Sequence, residues 1–409
     1  MGEQVEITSA DGGVFRAYLA TPESGSGPGL VLLQEAFGVT AFMRADADRY
    51  AAEGYVVAVP DLYWRLEPGV ELTDADFEHA MGLYQRFDID RAVEDVGATV
   101  AALRDRPEHT GGVGVVGYCL GGRLAVLAAA RTGVDCAVGY YGVGIDGHLD
   151  ELEKVSVPLA LHYGSEDSHC GHEVDAVRAV VDRHENLSLH VYQGADHAFA
   201  NDTRPYFDAA ATELAFTRTL AVVRGTLGPH YDLEAVWDLH MYHEFVTKDA
   251  AAVLDTMVDD PYVNIAPTVM GGVGHDMLLR FYKYHFVDVH PDDTTMIPVS
   301  RTVGVNRIVQ ELVLRFTHDR EIPYLLPGIA PTGRPMEVAM VAIVSFRGDR
   351  IYNEHIYFDQ ASVLVQAGLI EPDGLPVAGA EVARKVLDKN VEPNRLMPGW
   401  AASASLPLR

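Results

Sequence analysis

Cysteine is scarce: three residues in a chain of 409, Cys119, Cys136 and Cys170. Three thiols make no disulfide framework, and an odd count suits a reducing compartment. Basic side chains are also few, 31 against 59 acidic, for a net charge of −28. Both halves are acidic and neither carries a basic run, which excludes nucleic acid and anionic membrane surfaces as natural partners. Long apolar runs are missing as well, so no bilayer-spanning segment is expected. The opening Met1-Gly2-Glu3-Gln4-Val5-Glu6 has no apolar core of a signal peptide, which makes a cytoplasmic protein the expectation. No internal repeat or low-complexity tract is present. What remains, 48% apolar residues over 409 positions, is enough for two cores and two domains.

The most informative stretch is Gly112-Val-Gly-Val-Val-Gly-Tyr-Cys-Leu-Gly-Gly-Arg123, followed by the apolar run Leu124 to Ala130. It reads as a buried strand, a tight turn and a helix. Gly117 and Gly121 stand two residues before and after Cys119, the spacing of a nucleophile elbow with Cys in place of Ser. Glycines on both sides let neighbouring backbone approach a strained turn without Cβ clashes. The helix N-terminus behind the thiol favours its thiolate and offers N–H groups to an oxyanion. A glycine-rich turn around an inert buried cysteine is the plainer alternative.

The pattern around this stretch supports the elbow. Residues 3 to 20 alternate about Asp11-Gly12-Gly13 as a hairpin. Short apolar runs at Gly29–Gln34, Tyr55–Val59, Cys136–Tyr140, Leu159–Tyr163 and Leu187–Tyr192 predict buried parallel strands. Helices are predicted over Ala41–Glu53, Ala75–Phe87, Ile89–Arg104, Val174–His184 and Tyr206–Val223. This alternation predicts an α/β fold with a doubly wound parallel sheet, whose reactive groups sit at the carboxyl ends of strands. Asp167 follows one such strand and His197 the next. The order nucleophile, acid, base is that of α/β-hydrolases, with Cys119 attacking, His197 moving the proton and Asp167 fixing the imidazole.

Residues 3 to about 226 resemble the dienelactone hydrolase family of α/β-hydrolases. The elbow carries the resemblance together with Leu33-Gln34-Glu35-Ala36-Phe37-Gly38 and Gly139-Tyr140-Tyr141-Gly142-Val143-Gly144. It implies that Glu35 holds or activates the Cys119 thiol and that the Leu120 and Ala36 N–H groups form the oxyanion hole. A carboxylate after four apolar strand residues is itself costly unless paired or functional. Tyr118, Tyr141, Phe77, Phe199 and Arg204 are the expected substrate-binding residues. Two arginines that bind the carboxylate of dienelactone in the family are missing, their positions held by Asn201 and Phe77. Neither replaces a bidentate clamp, which argues against dienelactone as the substrate. His169-Cys170-Gly171-His172 matches no standard closed zinc spacing and reads as a polar loop at the site's rim, so no metal is expected.

Gly225-Thr226-Leu227-Gly228-Pro229 punctuates the chain. The expected division is a hydrolase domain over 1–226, a linker over 227–231, a second domain over 232–370 and an extended tail over 371–409. Apolar residues at helical spacing predict a long helix over Asp232–Lys248, with Asp232 as N-cap. A helical stretch over Asp276–Val289 follows, then strands at Thr295–Val303, Arg307–Thr317, Glu337–Arg347 and Ile351–Phe358. A long helix followed by a curved antiparallel sheet predicts an α+β cone enclosing an apolar pocket. Trp237-Asp238-Leu239-His240 and the ending Glu354 to Leu364 make this half similar to the SnoaL-like, polyketide-cyclase-like branch of the nuclear transport factor 2-like superfamily. The resemblance implies a pocket for a hydrophobic small molecule, or a structural module carrying a homo-oligomer contact. Its candidate acid/base groups are His240, His243, His355 and Asp359, of which Asp359 reads equally as the N-cap of the last helix.

These readings favour a hydrolase acting on a small-molecule lactone or activated ester through a Cys-His-Asp triad, with no cofactor. Two alternatives stand beside it: cyclase or isomerase chemistry in the second pocket, and a ligand-binding scaffold without turnover.

Overall fold

The buried apolar runs of the first half assemble into one eight-stranded sheet, seen in a computed structural model that describes residues 2–408. β1 (Glu3–Thr8) and β2 (Val14–Ala20) form the opening hairpin. β3 (Gly27–Leu33), β4 (Val56–Pro60), β5 (His109–Tyr118), β6 (Cys136–Tyr140), β7 (Leu159–Gly164) and β8 (Leu187–Tyr192) run parallel. The strand order is β1-β2-β4-β3-β5-β6-β7-β8. The chain winds one way from β3 to β4 and the other way from β5 onward. The reversal falls between β3 and β5, where Leu33 pairs with Gly117. Such a switch point opens a crevice at the strands' carboxyl ends, and Glu35 and Cys119 each lie two residues beyond that pair.

The connections are α1 (Ala41–Ala52), α2 (Phe77–Arg86), α3 (Ile89–Arg104), α4 (Leu120–Arg131), α5 (Leu149–Leu152), α6 (Val174–Val181) and α7 (Ala209–Leu227). α7 starts three residues later than expected because Asp208 caps it, accepting from the Ala211 N–H at 3.0 Å. The Asp208 cap satisfies a helix-end donor that Tyr206 and Phe207 cannot.

The chain divides between His230 and Tyr231, inside the expected connector, into two compact units. The second unit comprises α8 (Leu233–Tyr242), α9 (Ala250–Asp255), β9 (Met257–Ile265), β10 (Met270–Val273), α10 (His275–Phe281), β11 (Thr295–Val303), β12 (Arg307–Thr317), β13 (Pro335–Arg347), β14 (Arg350–Phe358), α11 (Gln360–Ala367), α12 (Glu381–Leu387) and α13 (Trp400–Ser403). Its six-stranded sheet has the order β10-β9-β14-β13-β12-β11, antiparallel except for the parallel pair β9/β14.

Three expectations need correction. The helix over Asp232–Lys248 is α8 followed by one π-helical turn, His243–Thr247, and the stretch after Gly274 likewise passes from α10 into a π turn, Tyr282–Phe286. β9 and β10 were not foreseen. Asp259, Asp260 and Pro261 interrupt the apolar pattern, and the β9/β14 register skips from Met257 to Tyr262 around them. Nor is the tail simply extended. α12 buries Ala383, Arg384 pairs with Glu337 of β13 at 2.7 Å, and the Ser362 hydroxyl donates to the Gly379 carbonyl at 2.8 Å. Both outer strands of this sheet are irregular: β10 has four residues with Gly271 and Gly272 inside it, and β11 carries Pro298 at a register shift. Among the described residues no helix is long and apolar enough to cross a membrane.

Candidate active site

Two close approaches fix the turn after β5. A Cβ on Gly117 would stand 1.9 Å from the Gly121 carbonyl oxygen, and one on Gly121 would stand 2.2 Å from that of Leu33. Only glycine fits at either place. Between them Cys119 takes a left-handed φ of 54°, a strained conformation for a side-chain-bearing residue. Its N–H donates to the Tyr140 carbonyl at 3.0 Å. The sulfur-bearing side chain is half-buried at the N-terminus of α4. Leu120 opens that helix, so its N–H has no carbonyl one turn back to bond. Among the described residues neither it nor the Ala36 N–H has a hydrogen-bond partner.

β7 and β8 deliver the acid and the imidazole. His197 Nδ1 lies 2.8 Å from Asp167 Oδ2, and Cys119 is near enough to act on the charge of the ring. Asp167 Oδ1 accepts the His169 and Cys170 N–H groups at 2.8 and 3.0 Å, and Oδ2 accepts the Cys170 thiol at 3.0 Å. Burial works against its charge, yet these bonds and His197 hold the carboxyl down at about 2. Burial also opposes charge on His197, but Cys119 and Asp167 more than offset it and raise the imidazole well above its usual range. The three expected residues are thus brought together, with the exposed His169 ring 4.7 Å from that of His197.

Glu35 differs from the expectation. It is 3% exposed, and its hydrogen bonds go to Asn201 Nδ2 (2.9 Å) and Tyr141 Oη (3.3 Å) rather than to Cys119. Burial raises its carboxyl pKa, partly countered by Arg204 3.9 Å away and by His197. Arg204 itself stacks on Phe37 and pairs with Asp74, so it does not stand free to clamp a ligand. The expected substrate-binding aromatics also need correction. Tyr118, Tyr141 and Phe199 are buried, leaving almost no surface for substrate. Tyr118 donates to Asp46 at 2.5 Å, and Tyr141 and Phe199 pack together behind His197. Phe77 is half exposed at the start of α2, and nothing places it beside Cys119.

Asn201 and Cys170, expected only as a lost clamp position and a rim residue, prove to be supports, and Glu173 is a further one that the sequence did not single out. Glu173 is 2% exposed and accepts the N–H groups of Gly144, Ile145 and Asp146, fixing the loop after β6 that carries Tyr141. A buried acid beside a glycine-rich loop is a readable signal, but nothing local ties Glu173 to residues 29 positions upstream.

In the second unit only His240 of the four candidates packs against residues that line the apolar cavity, Glu244 and Glu354. It is fully buried, with Nε2 3.1 Å from Glu354 and 3.2 Å from Glu244. These two carboxylates overcome the cost of burial and raise it to about 10. The other three candidates lie elsewhere. His243 bonds Thr247 at 3.0 Å, His355 packs edge-on against Tyr262, and Asp359 caps α11. Alternation along β14 explains the correction: Glu354 and Ile356 face the cavity, so His355 cannot. Glu244 was legible in principle, one turn after His240 on the same helical face.

A parallel sheet reversing between β3 and β5, with a cysteine elbow on one side and an acid and imidazole on later strand ends, defines an α/β-hydrolase. Residues 15–227 match the dienelactone hydrolase family, and the chain belongs to it. Carboxymethylenebutenolidase 1 of Cupriavidus pinatubonensis is 39% identical over 230 residues, 54% of this chain and 97% of that protein. The carboxymethylenebutenolidase of Pseudomonas sp. strain P51 is 37% identical over 55% of this chain and 98% of its own. That of Pseudomonas putida is 39% identical over 53% and 94%. These relationships make the protein a hydrolase.

Proposed function

We propose that the first unit hydrolyses a lactone or other activated ester through Cys119. The observation that carries this reading is the left-handed Cys119 beside a histidine that is itself bonded to a buried aspartate. The Cys119 thiolate attacks the carbonyl carbon, and the resulting oxyanion is held by the Leu120 and Ala36 N–H groups. Collapse of this intermediate breaks the acyl–oxygen bond, and His197 gives its proton to the departing oxygen. His197 then takes a proton from water, whose hydroxide attacks the thioester. The acid product leaves and the thiolate is restored. Asp167 keeps the imidazole in the tautomer that both proton transfers need.

The relatives named above are carboxymethylenebutenolidases. The substrate here differs in having no carboxylate to be clamped, because Asn201 is occupied with Glu35 and Arg204 with Asp74. An uncharged lactone or ester suits such a site better than one bearing a free carboxylate. The second unit we take to be a SnoaL-like module, on the strength of its leading helix, sheet and apolar cavity, and to be the route of self-association.

Intact-mass spectrometry after brief exposure to activated esters and lactones tests the proposal. An acyl adduct is expected on the wild type and not on Cys119→Ala, with turnover at least about 10³-fold lower in the variant. Equal turnover in both proteins would remove Cys119 from the mechanism.

A further inference from the structure

We propose that His240, Glu244 and Glu354 bind a divalent transition-metal ion, with open coordination positions facing the apolar cavity of the second unit. The three side chains are 0%, 4% and 1% exposed. Their donor atoms all lie within 4.8 Å of one another. Nitrogen and oxygen ligands bind such ions at about 2.0–2.2 Å, which sets neighbouring donors roughly 3–3.5 Å apart. The Nε2-to-carboxylate separations of 3.1 and 3.2 Å match that edge.

The direction of the imidazole points the same way. Thr256 Oγ1 gives its proton to the Val253 carbonyl at 2.6 Å, so at 2.7 Å from His240 it must accept from Nδ1–H. In the neutral ring this leaves the lone pair on Nε2. That nitrogen is buried, close to two carboxylates, and aligned for a hydrogen bond with neither. A ring fixed through its far nitrogen, with the near one aimed between two acids, is the arrangement of a metal-ligating histidine. Tyr282 adds the corresponding outer contact, donating to Glu354 Oε1 at 3.1 Å.

Charge and setting support the assignment. Glu244 and Glu354 line a cavity of about 50 Å³ whose other walls include Trp237, Met241, Phe245 and Phe286, with no Lys or Arg among them. Once the imidazole gives up its proton to serve as a ligand, the two carboxylates carry net negative charge in an apolar enclosure, and a dication neutralises it. Trp237 supplies an independent sign of a ligand, since its indole N–H is buried in that wall without an acceptor. A water or an organic oxygen on the ion would give it one. One imidazole and two carboxylates with no thiolate select zinc, manganese, iron(II) or cobalt(II) over calcium and copper(I).

The test uses full-length protein in a His197→Ala background, so that the donor triple Asp167, Cys170 and His197 of the first unit does not contribute. After chelation, the protein is dialysed against Zn²⁺ or Co²⁺ and bound metal is counted by mass spectrometry, with circular dichroism as a fold control. One equivalent per chain is expected, with weak visible bands for Co²⁺ and release of protons on binding. Glu354→Gln is expected to weaken binding more than about 100-fold, and Tyr282→Phe about 10-fold. The proposal is overturned if the parent binds no ion at millimolar metal, leaving a cluster held by a shared proton alone. It is equally overturned if a folded Glu354→Gln binds as the parent does.

Discussion

Cys119 sits where backbone conformation and chemistry conflict. Its φ of 54° is a cost that a side chain bears and glycine does not. Cys119→Gly is therefore expected to be about 1 kcal/mol more stable than Cys119→Ala, read as a higher urea midpoint at equal slope. Asp167→Asn leaves the fold intact but offers His197 the wrong hydrogen-bonding partner, and kcat should fall by about 10³–10⁴ with KM little changed. The pair also shapes the acid response. Asp167 is held down at about 2, so its contribution is present above the unfolded value near 4 and is lost as pH falls through 2. His197 is raised, so its share is complete below about 6.5 and fades only as pH climbs through its elevated folded value. The difference in Tm between wild type and His197→Ala should hold steady near pH 5 and shrink toward pH 2. A difference that grows on acidification would contradict the assignment.

At the scale of elements, local pattern and long-range pairing part company. The elbow was legible because its glycines, cysteine and following helix are consecutive, and Asp167 and His197 because each closes an apolar strand. The supports were not, since Asn201 is 166 residues from Glu35 and Glu173 reaches back 29 to Gly144. Nothing near either residue names its partner. β9 escaped because Asp259, Asp260 and Pro261 interrupt it, and α12 because it occupies a stretch rich in Pro and Gly. His355 was misassigned for a related reason: a strand's chemistry depends on which face is inward, and that follows from register, which sequence fixes poorly. The turn itself tolerates no side chain at its flanks. Gly121→Ala would drive a Cβ onto the Leu33 carbonyl, and loss of soluble protein or of more than about 3 kcal/mol is expected.

Across the whole molecule the chemistry is unevenly distributed. Glu35, Cys119, Asp167, His197, Asn201 and Arg204 all precede the division at His230. A fragment ending there should retain ester turnover within about threefold of the full chain if the second unit takes no part in it; assay of both proteins side by side checks this. The second unit's sheet, for its part, ends in strands poorly suited to recruit another strand. β10 is four residues long with two glycines, and β11 is interrupted by a proline that donates no ladder bond. Exposed regular edges are where sheets from separate chains join and aggregate, and short or proline-broken ones resist it. Any pairing of copies through this unit would then use faces of helices or sheet, and the same irregular borders would protect a concentrated solution against fibrous growth.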